Sequence, residues 1–197
     1  MRHASAAVWG LLALVLVSGV LRAQTDDVFA FIPSGGKTLL SEIVRGAPAD
    51  EVRDLLTGRR DRDGWRDHLV SRGPALAGVQ KISEQELFTL AAYLSFNMPL
   101  ADKSVPANPA RANWQKVLPP DGRDLVMENC QFCHIITVVV TQEKSQDAWL
   151  GTMNSPSHIE IELTPRQREA LASYLVLNAA IPIDLVPEAL RAGGASY

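Results

Sequence analysis

A mainly α-helical chain built of two small lobes in tandem is the fold class that the sequence predicts, and three observations carry it. First, a helical segment recurs: Ser83-Glu-Gln-Glu-Leu-Phe-Thr-Leu-Ala-Ala-Tyr-Leu-Ser-Phe-Asn97 matches Thr164-Pro-Arg-Gln-Arg-Glu-Ala-Leu-Ala-Ser-Tyr-Leu-Val-Leu-Asn178 at a constant offset of 81 residues. Second, each copy opens with a capping box, Ser83 with Glu86 and Thr164 with Gln167, and the second adds Pro165 at the first helical position. Third, strand signals are scarce, because the β-branched run Ile135 to Val140 has neither a turn nor a partner strand beside it.

Taken from the N-terminus, residues 1–23 read as an export signal. Arg2 and His3 form a basic start, Val8 to Leu21 is apolar, and Ala23 offers a small residue for cleavage before Gln24. Leu21 stands where a small residue is preferred, so an uncleaved N-terminal membrane anchor is a second reading of the same segment. Residues 24–100 form the first lobe, with short helices over Lys37 to Arg45 and Asp50 to Leu56, a third opening at Asp63-Gly-Trp65, and the long helix from Ser83. Residues 101–120 carry Pro106, Pro109, Pro119 and Pro120 with little periodicity, the composition of an extended linker, and Trp114 is the residue to pin it to a surface.

The second lobe spans residues 121–180. A helix over Gly122 to Asn129 leads it, Asp147-Ala-Trp149 answers Asp63-Gly-Trp65, and the second long helix closes it. The apolar faces of the long helices agree as well. Leu87, Leu90, Ala91 and Leu94 align with Arg168, Leu171, Ala172 and Leu175, so one pair of the four is mismatched. Residues 181–197, with Pro182, Pro187 and Gly193-Gly194, are a C-terminal tail that offers docking surface or a free end.

Composition excludes several function classes. The signal holds two of the 19 Lys+Arg and none of the 22 Asp+Glu, so the exported chain is acidic and lacks the clustered cations that nucleic acid requires. Its two cysteines lie in one short motif, which rules out a disulfide framework. No nucleophile paired with a base and no Gly-rich nucleotide loop is present, so no catalytic residue is assigned.

That motif is Cys130-Gln-Phe-Cys133-His134, the C-x-x-C-H pattern of covalent haem c attachment. Two thiols at this spacing on a helical turn can each form a thioether to one haem vinyl, while the adjacent imidazole reaches the iron. A thioredoxin-like site should follow a strand, whereas Leu125 to Asn129 is helical in pattern. A zinc site needs a fourth ligand, and beyond His134 the exported chain has His68 and His158 and no second cysteine pair.

From Gly122 to about Asn178 the chain resembles the class I c-type cytochromes, with the haem motif, Trp149 and Tyr174-Leu175 as landmarks. The resemblance implies a cytochrome c fold for this lobe, His134 as proximal ligand, and a sixth ligand delivered from a loop before the last helix. Methionine is that family's usual choice, and Met153 is the first candidate. Met127 lies three residues before Cys130 on the approach helix, and Met98 lies in the other lobe. His158 is the alternative, because it sits in the Asn154-Ser-Pro-Ser157 loop region, closer to the last helix, and Pro156 occupies the place where the family often carries its methionine. Phe132, Leu125, Leu171, Tyr174 and Leu175 are expected to wall the haem, Trp149 to pack on it or donate to a propionate, and Lys144 or Arg166 to meet a propionate or remain solvated.

The first lobe resembles a cytochrome domain without its cofactor. Aligning helix starts sets Val44-Arg-Gly-Ala47-Pro48 where Cys130 to His134 stand, so both thioether sites and the proximal ligand are missing there. The expected function is single-electron transfer by an exported, periplasmic monohaem cytochrome, as a subunit or partner of a dehydrogenase or of a respiratory or photosynthetic membrane complex. The alternative is a haem-based sensor with an open or labile sixth position.

Overall fold

The computed structural model describes residues 27–191. Residues 1–26, including the segment 1–23 expected to be an export signal, and residues 192–197 lie outside the described residues. Helices and no strands are found among the described residues, and no helix there is long and apolar enough to cross a membrane.

Four helices come first: α1 (Gly36–Ile43), α2 (Ala49–Thr57), α3 (Arg62–Arg72) and α4 (Glu84–Asn97). After short 3₁₀ turns and α5 (Trp114–Val117), a second four follow: α6 (Gly122–Asn129), α7 (Ile136–Val140), α8 (Gln146–Met153) and α9 (Pro165–Asn178), before α10 (Glu188–Arg191). The caps explain where several of them start. Ser83 and Thr164 both form complete capping boxes, with Glu86 and Gln167, and so does Asp121 with Asp124 at α6. Asp61 and Ser145 accept from the backbone of Gly64 and Ala148 at the heads of α3 and α8.

The run Ile136–Val140 is helical although β-branched. Ile136, Thr137, Val139 and Val140 are buried, so packing outweighs their local preference for strand.

Two hydrophobic clusters hold the helices. The first gathers Leu39, Leu40, Leu55, Leu56, Trp65, Leu69, Leu76, Leu90 and Leu94 from α1 to α4 with their connections, and it also takes in Trp114 and Leu118. The second gathers Leu125, Val126, Ile136, Val140, Trp149, Met153, Leu171 and Leu175, and it includes Ile32, from ahead of α1. The second half of the proline-rich connection is therefore core of the first helix set rather than a free linker, and the lead-in to α1 belongs to the second core. The stretch beyond residue 180 is likewise packed down: Ile181 and Val186 are buried in the second core, and Leu190 O accepts from Thr137 Oγ1 at 2.8 Å.

The two helix sets repeat one packing device. Gly36 in α1 lies so close to α4 that an added Cβ would be 2.1 Å from Tyr93 Cβ, and Gly122 in α6 has the same 2.1 Å approach to Tyr174 Cβ on α9. Each tyrosine hydroxyl then ties down the segment that leads into the other set's first helix and packs on the tyrosine's own core: Tyr93 donates to Pro119 O at 2.9 Å and Tyr174 to Pro33 O at 2.6 Å. On the α4 and α9 faces, Asn178 Nδ2 donates to Thr89 Oγ1 at 3.0 Å and Gln85 Nε2 to Leu177 O at 2.8 Å.

Candidate haem site

The motif stands where α6 ends. Asp121 starts this helix by accepting from Asp124 N at 2.9 Å, and Cys130 is its C-cap, donating its backbone N–H to Val126 O at 3.0 Å. His134 N returns to Cys130 O at 3.3 Å, so Cys130, Cys133 and His134 share one tight turn. In the first helix set Val44 is the C-cap of α1, and its following turn contains Gly46 at φ 93°, in the left-handed region that favours glycine. The aligned position in the second set is Phe132.

Cys130 is half-buried against the second core, while Cys133 and His134 are exposed. Burial pushes the Cys130 thiol up to about 11. A thioredoxin-like nucleophile needs the opposite shift, toward thiolate at neutral pH. Among the described residues no three side chains of His, Cys, Asp and Glu converge as a metal cage.

The ring that faces His134 is that of His158. Their centroids are 6.0 Å apart and their planes differ by 26°. The two rings are stacked, and both imidazoles stand at the motif turn. His158 is half-buried on the turn after α8. Its Nδ1 lies 3.0 Å from Ser155 Oγ and 3.0 Å from Ser157 Oγ. Ser155 has one hydroxyl proton and donates it to Thr152 O at 2.8 Å, so toward the ring it can only accept. Ser157 Oγ can donate or accept at the same nitrogen, so Nδ1 is held between two hydroxyls.

Met153 is placed otherwise. It ends α8, one helical turn after Trp149, and both are buried in the second core, with Met153 only 7% exposed. Leu125, Tyr174, Leu175 and Leu171 line that same core beside Cys130. Phe132, expected in the haem wall, instead stands 87% exposed, with Ile135 and Ile159 also open to solvent. These apolar side chains neighbour the two histidines in sequence and give the site an uncovered greasy rim.

The remaining expected contacts resolve differently. Trp149 Nε1 is buried without a partner, but so is Trp65 Nε1 in the first set. Each indole also lies under a cation, Lys144 at 4.8 Å and Arg60 at 4.5 Å from the ring centroid. The orphaned indole is thus a shared feature of the two helix sets and carries no information about haem. Arg166 donates through Nε to Phe96 O at 2.7 Å, tying α9 to the end of α4.

An open cleft of about 770 Å³ is lined by Leu150, Asn154, Ile159, Leu163 and Arg168 among others, and Cys130, Cys133 and His134 do not line it. The residue that sequence reasoning missed is Arg168. Its mismatch with Leu87 was the signal, and its guanidinium is buried beneath the turn that carries His158.

A thiol pair on one turn, two neighbouring imidazoles and an apolar rim fit the chemistry of a planar, metal-centred macrocycle, for which sulfur would attach the edge and nitrogen would hold the metal. No family model matches the chain, and comparison with curated proteins and with solved structures yields no match.

Proposed function

We propose that this chain is an exported monohaem c-type cytochrome that transfers single electrons, with two cytochrome c-like lobes of which only the second binds haem. Cys130 and Cys133 attach the haem, His134 is the proximal ligand, and His158 is preferred to Met153 as the sixth. The observation that carries this reading is the 6.0 Å pairing of His134 with His158 directly after a C-x-x-C turn. When bound, haem supplies a one-electron iron couple, and the protein tunes it by ligation and burial.

The side chains around the site support that role. Leu125, Tyr174 and Leu175 offer an apolar wall, and the exposed rim of Phe132 and Ile159 leaves apolar surface for a haem face or a docking partner. Ser155 and Ser157 hold His158 through Nδ1, which leaves Nε2 as the nitrogen to meet a metal. Two imidazoles favour Fe(III) more than a methionine sulfur does, so the potential lies below that of a Met/His cytochrome. The partner is a redox protein, a dehydrogenase or a membrane electron-transfer complex in the exported compartment. The acidic surface excludes nucleic acid from that role.

The test is expression with a haem c maturation system, a pyridine haemochrome assay and spectra of both oxidation states. One covalent haem per chain is expected, lost in Cys130→Ser/Cys133→Ser, with a low-spin six-coordinate iron. His158→Ala should become five-coordinate and bind CO rapidly when reduced. Absence of covalent haem from the wild type sinks the whole reading. Loss of the sixth ligand in Met153→Leu but not in His158→Ala returns the assignment to Met153. Rapid CO binding by the wild type favours a haem sensor over a carrier.

A further inference from the structure

We infer that Arg168 is the positioning residue for His158: its buried guanidinium clamps the two ends of the turn that carries the ring and so sets where Nε2 can stand. The inference rests on the haem reading above. Arg168 is 7% exposed, and its partners among the described residues are three backbone carbonyls. Nη1 donates to Met153 O, while Nη2 donates to Ile161 O at 2.8 Å and to Ile159 O at 3.3 Å. Met153 and Ile161 bracket residues 154–160, so one planar donor fork spans the turn.

The first helix set shows what Arg168 replaces. There the connection into α4 is anchored by apolar contact, through Leu76 and Val79, both buried in the first core. In the turn carrying His158, Asn154, Ser157 and Glu160 are exposed. At the long-helix position beside it, which the offset of 81 aligns with Leu87, stands Arg168.

A buried cation in the first turn of α9 is disfavoured by the helix dipole and by desolvation. The carbonyls of this turn offset that cost. Directional hydrogen bonds to the backbone hold the turn without using its side chains, which leaves His158 free to face His134.

The experiment compares wild type, Arg168→Leu, Arg168→Lys and His158→Ala as full-length haem-loaded proteins. Leu is the residue the first helix set carries here, so Arg168→Leu keeps apolar packing available, and Arg168→Lys retains charge without the fork. Expected is a rise of about 10- to 100-fold in the five-coordinate, CO-reactive fraction in Arg168→Leu, approaching His158→Ala, with Arg168→Lys between. Amide exchange in residues 154–161 of the haem-free Cys130→Ser/Cys133→Ser chain should accelerate when Arg168→Leu is added.

If both Arg168 variants only melt earlier while their folded fraction stays six-coordinate, Arg168 is structural and the inference is overturned. A wild type without covalent haem fails the functional reading instead, and the amide exchange then judges the clamp by itself.

Discussion

Gly122→Ala tests the packing on which the motif depends. A Cβ at position 122 would stand 2.1 Å from Tyr174 Cβ and 2.5 Å from its Cγ, against 3.4 to 4 Å for ordinary contact. Either α6 and α9 separate by more than about 1 Å, or Tyr174 swings away and gives up its bond to Pro33 O; overpacking of this kind costs about 2–4 kcal/mol. The helix-propensity gain of Gly→Ala, up to about 1 kcal/mol in a helix interior, is smaller at a first helical residue. A net loss of about 2–3 kcal/mol is therefore expected.

Urea unfolding followed by far-UV circular dichroism measures the loss, with Gly36→Ala as its twin against Tyr93 and Gly151→Ala as the control. An added Cβ at Gly151 meets nothing within 4 Å, and this glycine lies inside α8, so Gly151→Ala should be neutral or stabilising by up to about 1 kcal/mol. If Gly122→Ala unfolds within about 0.5 kcal/mol of wild type, the close approach of α6 to α9 is not a constraint and the reasoning fails.

Asp121 caps two helices at once, accepting from Asp124 N at 2.9 Å and from Lys37 N at 2.8 Å, so Asp121→Ala should cost about 2 kcal/mol by denaturant unfolding. Burial raises its carboxyl above the ordinary aspartate value. With the folded value raised, the native state binds the proton more tightly. Its linkage contribution is therefore fully present below about pH 3.9 and is lost as pH rises through the folded value, so the Asp121→Ala penalty should shrink across that window; a penalty growing with pH would contradict this. Tyr93→Phe and Tyr174→Phe each remove the hydroxyl bond that ties down the segment leading into the other set's first helix and should each lower unfolding free energy by about 1 kcal/mol, with no loss in either counting against these contacts. In the haem-free protein Cys130, its thiol held up to about 11 by burial, should be alkylated far more slowly at pH 7.5 than exposed Cys133, as mass spectrometry of timed samples would show. Equal rates would remove the argument against a reactive thiol pair.

Local chemistry was readable where a few neighbouring residues decide the outcome. Ser83 with Glu86 and Thr164 with Gln167 are complete capping boxes in the structure, and the pairing of Trp65 with Trp149 at the starts of α3 and α8 follows the repeat. Long-range packing was not readable. Nothing near Ile32 announces that it joins the second core, and the helical state of Ile136–Val140 comes from burial rather than propensity.

At the site, two signals were present in the sequence. Met153 follows Trp149 by four residues on one helix, so a core-facing tryptophan carries the methionine into the core with it. Arg168 broke an otherwise apolar alignment at a position that turns out to be buried. His158 beside His134 depends on the path of the turn between α8 and α9, which spacing alone does not fix.

The exchanged contacts explain why the first helix set stays attached to the one that carries the Cys130–His134 motif. Ile32 and the half-buried Phe29 and Phe31, all ahead of α1, pack on the second core, while Trp114 and Leu118, ahead of α6, pack on the first. Arg123 Nη2 donates to Phe29 O at 3.1 Å, and Tyr174 to Pro33 O, so α6 and α9 both reach back to that lead-in strand of chain. Cutting the chain before residue 121 would strip the second core of Ile32, strand the Tyr174 hydroxyl, and remove Lys37 from beside Asp124, its salt-bridge partner at 3.2 Å. Losing one large buried aliphatic side chain alone costs about 2–5 kcal/mol, a large share of the stability of a small domain. The first helix set therefore acts on the site through α6, whose start it braces and whose end is Cys130.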